Sequence, residues 1–268
     1  MKLVAIVRTP TYGESAANIL GRATGLTLAE ARIRLAPEPP AILANLAPEA
    51  ADALVAELRK EGVAAVAVER AAASEGPRVV ARTVVLGPAG VSFQARTGAA
   101  IEVPWAEVAT ILRGASSARS ETEVTEKSKQ FSLSTALATQ GLKTTSIVEK
   151  TARSMEEQTE QAILLYGRSG QRIILREGEL EFSCLGAAMQ PTRTANMAAL
   201  ARVFKERAPS AFYDERLLRL GRRKLPMFLG GETRVQGGKS AQVRTDTAGG
   251  LELLGEILFH AVQQGLLP

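Results

Sequence analysis

Residues able to carry out catalysis are scarce in this sequence. It has one histidine, His260, and one cysteine, Cys184, among 268 residues. A zinc site built on several such ligands is therefore excluded, as is an internal disulfide bond. The Gly-x-Ser-x-Gly turn of serine hydrolases is absent. Adjacent acids such as Glu156-Glu157 and Asp214-Glu215 need not face each other and indicate surface charge. We therefore predict no catalytic residues, no metal and no cofactor.

The run Gly237-Gly238-Lys239-Ser240 imitates the end of a phosphate-binding loop. The first glycine of that motif would fall at position 233, where the chain has Thr233. The residues after Ser240 are a poor start for the helix that such a loop needs. We predict no nucleotide site here.

The composition is that of a soluble globular protein, with 46% hydrophobic and 23% charged residues. The N-terminus has a short apolar run without the long apolar region or cleavage site of a signal peptide. No segment approaches the ~20 apolar residues that cross a bilayer. We expect a cytoplasmic, bacterial protein.

The net charge of +5 comes from the last part of the chain. Residues 1–70 and 71–160 are each neutral, whereas 202–244 hold 11 basic and 4 acidic residues. We call the densest run the basic cluster; it consists of Arg216, Arg219, Arg222, Arg223 and Lys224. Such a run binds phosphates of lipid or nucleic acid, pairs with acids of a protein partner, or is only a solvated face. Few aromatic residues lie nearby to stack on bases, so nucleic acid is not an expected partner, while an anionic membrane surface stays an alternative.

The first 70 residues alternate short apolar strands with amphipathic helices. Strands are predicted at 2–8, 41–46 and 63–69, and helices at 12–24, 28–35 and 48–61. Thr27 and Glu30 form a capping box, Gly25 ends the first helix, and Pro48 begins the third. The first helix is expected to bury Ala16, Ile19, Leu20 and Ala23. The predicted order is β-α-α-β-α-β.

The run from Ala23 to Arg32 (ATGLTLAEAR) resembles the helix-loop-helix signature of the C-terminal domain of the ribosomal stalk protein. The segment 49–63 resembles the last helix and strand of that domain, so the resemblance covers about a quarter of the chain. In that family the first two helices recruit translational GTPases, largely through lysines. This sequence has Asn18 and Ala29 at two of the lysine positions. The resemblance implies a partner-binding face formed by Asn18, Arg22, Leu26, Glu30 and Arg32.

That face has a simpler explanation. Gly25 and Leu28 are also the residues that a tight corner between two helices requires. The sequence leaves open whether the first two helices bind a partner or only form this corner.

Residues 77–216 have mainly the alternation of strands. Strands are expected at 78–86, 91–95, 100–103, 109–112, 163–167, 172–176 and 180–185. A helix is expected at 192–206, with Met197, Leu200, Ala201 and Phe204 buried. Strands closed by one helix, with a Pro-Trp-x-x-Val turn at 104–108, resemble the bacterial pleckstrin-homology-like fold. The resemblance implies a bent antiparallel sheet whose loops or edges recruit peptides or lipids. Trp105 is either a core anchor or a ligand contact.

Residues 115–160 interrupt these strands. Sixteen of the 46 residues are Ser or Thr, with scattered apolar residues among them. So long a segment inside a domain is often functional. We predict a projecting excursion, partly helical or a long hairpin, that contacts a partner or a second copy; the alternative is a flexible insertion without a role.

The end of the chain combines a glycine-rich stretch with an apolar helix. Residues 226–244 are expected to form a loop. Residues 251–267 are expected to form an amphipathic helix, which either packs within the chain or docks on another chain.

The sequence as a whole predicts an α+β protein with three parts. These are a stalk-like domain at 1–70, a pleckstrin-homology-like domain at 77–216 interrupted at 115–160, and a basic, glycine-rich segment with a final helix at 217–268. The functional hypothesis is a non-enzymatic adaptor that binds a protein partner. The alternatives are a ribosome- or translational-GTPase-associated factor and a peripheral binder of anionic membranes.

Overall fold

The fold is seen in a computed structural model, which describes residues 1–10, 13–70, 78–131, 145–226, 232–237 and 240–268, with side-chain surroundings outside 121–154 and 227–245. The chain forms two compact units. Unit 1 contains Met1–Ser116, Glu160–Leu229 and Thr247–Pro268, and unit 2 contains Ser117–Thr159 and Gly230–Asp246. Helices and sheets are both present, which confirms the predicted α+β class.

Within unit 1, residues 1–70 form a small sheet covered by three helices; we call this part the N-terminal lobe. Its elements are β1 (Lys2–Ile6), α1 (Gly13–Thr24), α2 (Leu28–Leu35), β2 (Ala41–Leu46), α3 (Pro48–Lys60) and β3 (Ala65–Glu69). The order is the predicted one. β1 lies in the centre and is antiparallel to both β2 and β3.

Local sequence signals begin and end the helices of this lobe. The Thr27 hydroxyl accepts a hydrogen bond from the Glu30 amide, and the Glu30 carboxylate accepts one from the Thr27 amide at 2.8 Å. This confirms the predicted capping box. Gly25 has φ of 72°, a conformation that glycine adopts without steric cost. One expectation was wrong, because Ala17 rather than Ala23 completes the buried side of α1.

The rest of unit 1 is built on a larger sheet. Its strands are β4 (Val79–Leu86), β5 (Gly90–Ala95), β6 (Ile101–Pro104), β7 (Val108–Phe131), β8 (Thr145–Gly167), β9 (Arg172–Arg176) and β10 (Phe212–Asp214). β7 and β8 continue into unit 2. In unit 1, β7 pairs with β10 and β8, followed by β9, β4, β5 and β6.

The prediction of a purely antiparallel sheet was wrong at two pairs. β4–β9 and β10–β7 are parallel. Parallel pairing needs a long connection, and both pairs have one, since each joins strands that are distant in the sequence. Helix α4 (Arg193–Arg207) covers the inner side of this sheet and buries Met197, Leu200, Ala201 and Phe204, as predicted.

The strand expected at 180–185 is absent. This stretch is irregular and leads into a 3₁₀ helix at Ser183–Ala188. The Arg193 guanidinium donates hydrogen bonds to the carbonyls of Glu177 and Leu180 at 2.7 and 2.8 Å. These bonds satisfy backbone acceptors that a neighbouring strand would otherwise use.

The final helix, α6 (Ala248–Gln263), lies between the two sheets of unit 1. Leu3 and Ala5 of β1, with Val7 just after it, share a buried cluster with α6 and with Leu112 and Leu164 of the larger sheet. Val4 and Ile6, which alternate with these residues along β1, face α1 and α3 instead. Apolar residues surround α6 on nearly every side, as a helix buried in a core requires. Of the two alternatives for this helix, the structure shows packing within the chain.

Unit 2 is a sheet with the strand order β11-β12-β7-β8. β11 (Glu232–Gly237) and β12 (Ser240–Asp246) form a hairpin, so the loop expected at 226–244 was wrong over these residues. β12 pairs antiparallel with β7 from Ser240↔Val124 to Asp246↔Ala118. The excursion predicted at 115–160 consists of strand in its described parts, while 132–144 lie outside the described residues.

In the described part of the chain, no helix combines the length and the apolar character needed to traverse a bilayer.

Candidate functional site

The surface formed by α1 and α2 is open on the N-terminal lobe; we call it the α1–α2 face. Asn18, Arg22, Glu30 and Arg32 are exposed, and Leu26 is half-buried. The buried residues of these helices face the small sheet. Four of the five residues singled out in the sequence are therefore accessible to solvent on α1 and α2, and Leu26, in the turn between these helices, is partly accessible.

The charges of the α1–α2 face are paired with one another or with α3. Arg32 contacts Glu14 at 2.8 Å, and Arg22 contacts Glu57 at 3.3 Å. The hydrogen bond from the Thr27 amide lowers the pKa of Glu30. Exposed pairs of this kind contribute at most about 1 kcal/mol each. They leave the face nearly neutral rather than strongly charged.

The α1–α2 face also carries apolar residues that were not among the predicted site residues. Ile33 is 71% exposed and Leu28 is 37% exposed. On α2 the buried residues are Ala31 and Leu35, and Ile33 points away from them. The exposure of Ile33 could have been predicted from a helical projection of 28–35, because Ile33 falls on the side opposite Ala31 and Leu35.

The basic cluster surrounds a short helix, α5 (Leu217–Leu220), and three of its members reach the N-terminal lobe. The Arg216 guanidinium donates to the Val7 carbonyl at 3.1 Å and binds Asp214. Arg223 donates to the carbonyls of Glu38 and Pro40 at 2.8 and 2.6 Å. These bonds satisfy carbonyls at the end of β1 and before β2.

Arg219 pairs with the Glu38 carboxylate, and this hydrogen bond lowers the pKa of Glu38 and raises that of Arg219. Arg222 and Lys224 are exposed. Arg216, Arg219 and Arg223 thus have partners inside unit 1. The sequence did not indicate the contacts with the N-terminal lobe, because those partners lie more than 180 residues away along the chain.

A second set of charges lies beside α6, and sequence reasoning missed it entirely. The Glu256 side chain is 1% exposed and accepts hydrogen bonds from Arg172 at 2.9 Å and Arg78 at 3.3 Å. Glu252 pairs with Arg176 at 2.9 Å. These five residues are called the α6 charge network below.

The network lies among apolar and aromatic groups. The Tyr166 ring stacks on Phe259 at 4.5 Å, and burial raises the pKa of the Tyr166 phenol. His260 is half-buried nearby, and its pKa is lowered by burial. Charges placed so deeply need partners, and the arginines supply them. The network fixes α6 against the larger sheet.

The remaining residues singled out in the sequence are not brought together. Burial raises the pKa of the Cys184 thiol. Trp105 is buried, and its indole N–H donates to the Gly87 carbonyl at 3.1 Å. Of the two alternatives for Trp105, the structure therefore shows the core anchor. Gly237 ends β11 and Ser240 begins β12, while Gly238 and Lys239 lie outside the described residues. Over the described ranges, no three His, Cys, Asp or Glu side chains cluster as metal ligands would.

Comparisons with known proteins give no match. No protein-family model matches the sequence, and neither a curated protein nor a solved structure does.

Proposed function

We propose that this protein is a non-enzymatic adaptor that binds a protein partner through the α1–α2 face. The observation that supports the proposal is the exposure of this face, which includes an isoleucine that is 71% exposed. Exposed large aliphatic side chains are unfavourable in water, and a covering partner removes that cost.

The attachment of the lobe is consistent with this role. The basic cluster and α6 contact the lobe from other sides, so its position does not depend on α1 and α2. A firmly held face loses little conformational entropy on binding. The long strands of unit 2 are a further candidate for contact with a partner.

The alternative of an anionic-membrane binder has less support. It relies on the basic cluster, and Arg216, Arg219 and Arg223 already have partners in the described structure. The alternative of a ribosome- or translational-GTPase-associated factor relies on the same α1–α2 face and differs only in the identity of the partner.

The test is affinity capture from source-cell lysate with the full chain as bait. The variant Ile33→Asp/Arg32→Glu changes the α1–α2 face. The control Met189→Asp/Arg202→Glu makes the same changes at exposed residues elsewhere. We expect a defined protein to be retained by the wild type and the control and lost with the face variant. Equal capture by all three, or none by any, would overturn the proposal.

Two further measurements separate the alternatives. Co-sedimentation with ribosomes at low salt, lost in the face variant, would identify the partner as ribosomal. Flotation with anionic vesicles that is lost in Arg222→Glu/Lys224→Glu would replace the adaptor proposal by membrane binding.

A further inference from the structure

A groove of about 360 Å³ lies on the outer face of β4, β5 and β6, remote in sequence from the α1–α2 face. Its volume is within the range of sites that bind small ligands or side chains. The lining is largely apolar and includes Val85, Pro88, Gly90 and Pro104. Val85 is 65% exposed although it is aliphatic.

Gly90 lines the groove at a point where β5 and β6 approach closely. A Cβ atom there would lie 2.7 Å from the Val103 carbonyl oxygen, which is too close for any other residue. The strand register places Val85, Ser92 and Glu102 in one row across the three strands. Their neighbours in sequence, Val84, Val91 and Val103, are buried, so the row faces outward.

The groove reaches an edge of the sheet. In the described structure β6 pairs with β5 alone. The Trp105 amide donates to the Ala89 carbonyl at 3.1 Å, and hydrogen-bonded pairs alternate along an antiparallel ladder. By that alternation the amide and carbonyl of Glu102 point away from β5. Pro104 has no N–H group, so the edge offers one donor–acceptor pair, at Glu102.

Glu102 is also the one charged residue that lines the groove. It is exposed, and no ion pair or hydrogen bond links its carboxylate to another described side chain. An apolar groove with a single free acid at its open end favours an occupant that carries one positive charge beside an aliphatic group.

We infer that this groove binds an extended peptide segment that adds to the edge of β6. The peptide backbone pairs with Glu102, in the manner of strand addition to an exposed sheet edge. A lysine or arginine opposite Glu102 meets its carboxylate. Two residues along, on the same face of the added strand, an aliphatic side chain covers Pro104 and the gap over Gly90. For a strand added parallel to β6, the recognised pattern is a basic residue, any residue, then an aliphatic residue.

Two capped pentapeptides test the inference with isotope-labelled full-length protein. One has the sequence Ser-Lys-Thr-Ile-Ser, and the other has glutamate in place of lysine. Amide NMR signals of Val85, Ser92 and Glu102 are expected to shift with the lysine peptide. Because an exposed ion pair contributes modestly, we expect the glutamate peptide to bind about two- to fivefold more weakly.

Three variants identify the groove as the binding site. Glu102→Lys is expected to reverse the preference between the two peptides. Val85→Asp is expected to weaken binding of the lysine peptide, since it replaces an apolar wall by a charge, while the control Met189→Asp leaves it unchanged. Glu206→Lys, a charge reversal at an exposed acid of α4, is expected to keep the wild-type preference.

Three results would overturn the inference. The first is the absence of shifts at Val85, Ser92 and Glu102 with either peptide. The second is equal binding of both peptides. The third is a concentration-dependent shift of the same signals without peptide, which would show that a second copy covers the groove. None of these outcomes bears on the α1–α2 face, so failure here is distinguishable from failure of the adaptor proposal.

Discussion

Two groups of arginines hold unit 1 together, and they differ in how much water surrounds them. In the α6 charge network, Arg78 and Arg172 reach a Glu256 side chain that is 1% exposed. In the basic cluster, Arg219 and Glu38 are 67% and 49% exposed. The same chemical pair therefore occurs both in the interior and at the surface of unit 1.

The difference in exposure decides what each group contributes. A surface pair exchanges solvent contacts for a contact of similar strength, so its loss changes stability little. A buried pair has already lost its solvent, so removing one partner leaves an uncompensated charge. Single substitutions in each group can measure whether the buried pairs contribute more to the free energy of unfolding than the exposed pairs.

The largest effect is expected at Glu256. The variant Glu256→Ala leaves Arg172 and Arg78 without their shared carboxylate, and we expect the free energy of unfolding to fall by about 3–5 kcal/mol. Urea denaturation followed by Trp105 fluorescence measures it. Glu181→Ala, which removes an exposed partner of Arg82, is the control and should change stability by less than about 1 kcal/mol. Equal losses of stability in the two variants would contradict the expected difference between buried and exposed pairs.

The next effect concerns the close approach of α6 to the larger sheet. A Cβ atom at Gly255 would lie 2.5 Å from Leu164 Cδ1 and 2.6 Å from the Tyr166 hydroxyl. We expect Gly255→Ala to destabilise the protein by about 1–3 kcal/mol through overpacking. Gly249, in the same helix, has nothing within 4 Å of its Cβ position. Gly249→Ala should therefore be neutral or stabilising, since alanine favours the helix more than glycine does. A loss of stability there equal to that of Gly255→Ala would show that close packing is not the cause at Gly255.

A smaller effect is expected at Arg223, which lies between the two extremes. It is half-buried, which lowers its pKa, and it donates to two carbonyls of the N-terminal lobe. We expect Arg223→Ala to cost about 1–2 kcal/mol, because both carbonyls lose a charged donor. Hydrogen exchange at the amides of Glu38, Ala41 and Ile42 should increase more than exchange at β9. An equal increase of hydrogen exchange throughout unit 1 would contradict a local role for Arg223.

The smallest effect is expected at Arg219. We expect Arg219→Ala to unfold at nearly the wild-type urea concentration at pH 7. Its partner Glu38 has a lowered pKa in the folded protein, so the pair stabilises the fold above the ordinary carboxyl pKa. That contribution is lost as the pH falls through the folded pKa. Wild type and variant should therefore coincide at about pH 2, and a difference that grows in acid would refute this account.

Sequence reasoning succeeded where the signal was local. Thr27, Glu30 and Pro48 define helix ends within a few residues, and the buried side of α4 follows from its spacing. It failed where the cause was distant. In the strand expected at 180–185, the Leu180 carbonyl accepts a hydrogen bond from the Arg193 guanidinium. The loop expected at 226–244 contains β12, which pairs with β7 from Ser240↔Val124 to Asp246↔Ala118.

The candidate site shows the same limit. The exposure of Asn18, Arg22, Glu30 and Arg32 follows from the helical repeat, and Ile33 was available from the same repeat. The roles of Arg216 and Arg223 were not accessible, because the carbonyls of Val7 and Pro40 become their partners only after folding. Glu256 was not singled out, because the arginines that pair with it lie 84 and 178 residues away in the sequence.

The position of α6 between the two sheets has a consequence during synthesis. Leu3, Ala5 and Val7 leave the ribosome early, whereas residues 248–263, which cover them, leave it long afterwards. Until then the nascent chain exposes one apolar side of its first sheet, and such surfaces are prone to aggregation and are bound by chaperones. The order of translation therefore leaves this side of the small sheet uncovered until α6 has been synthesised.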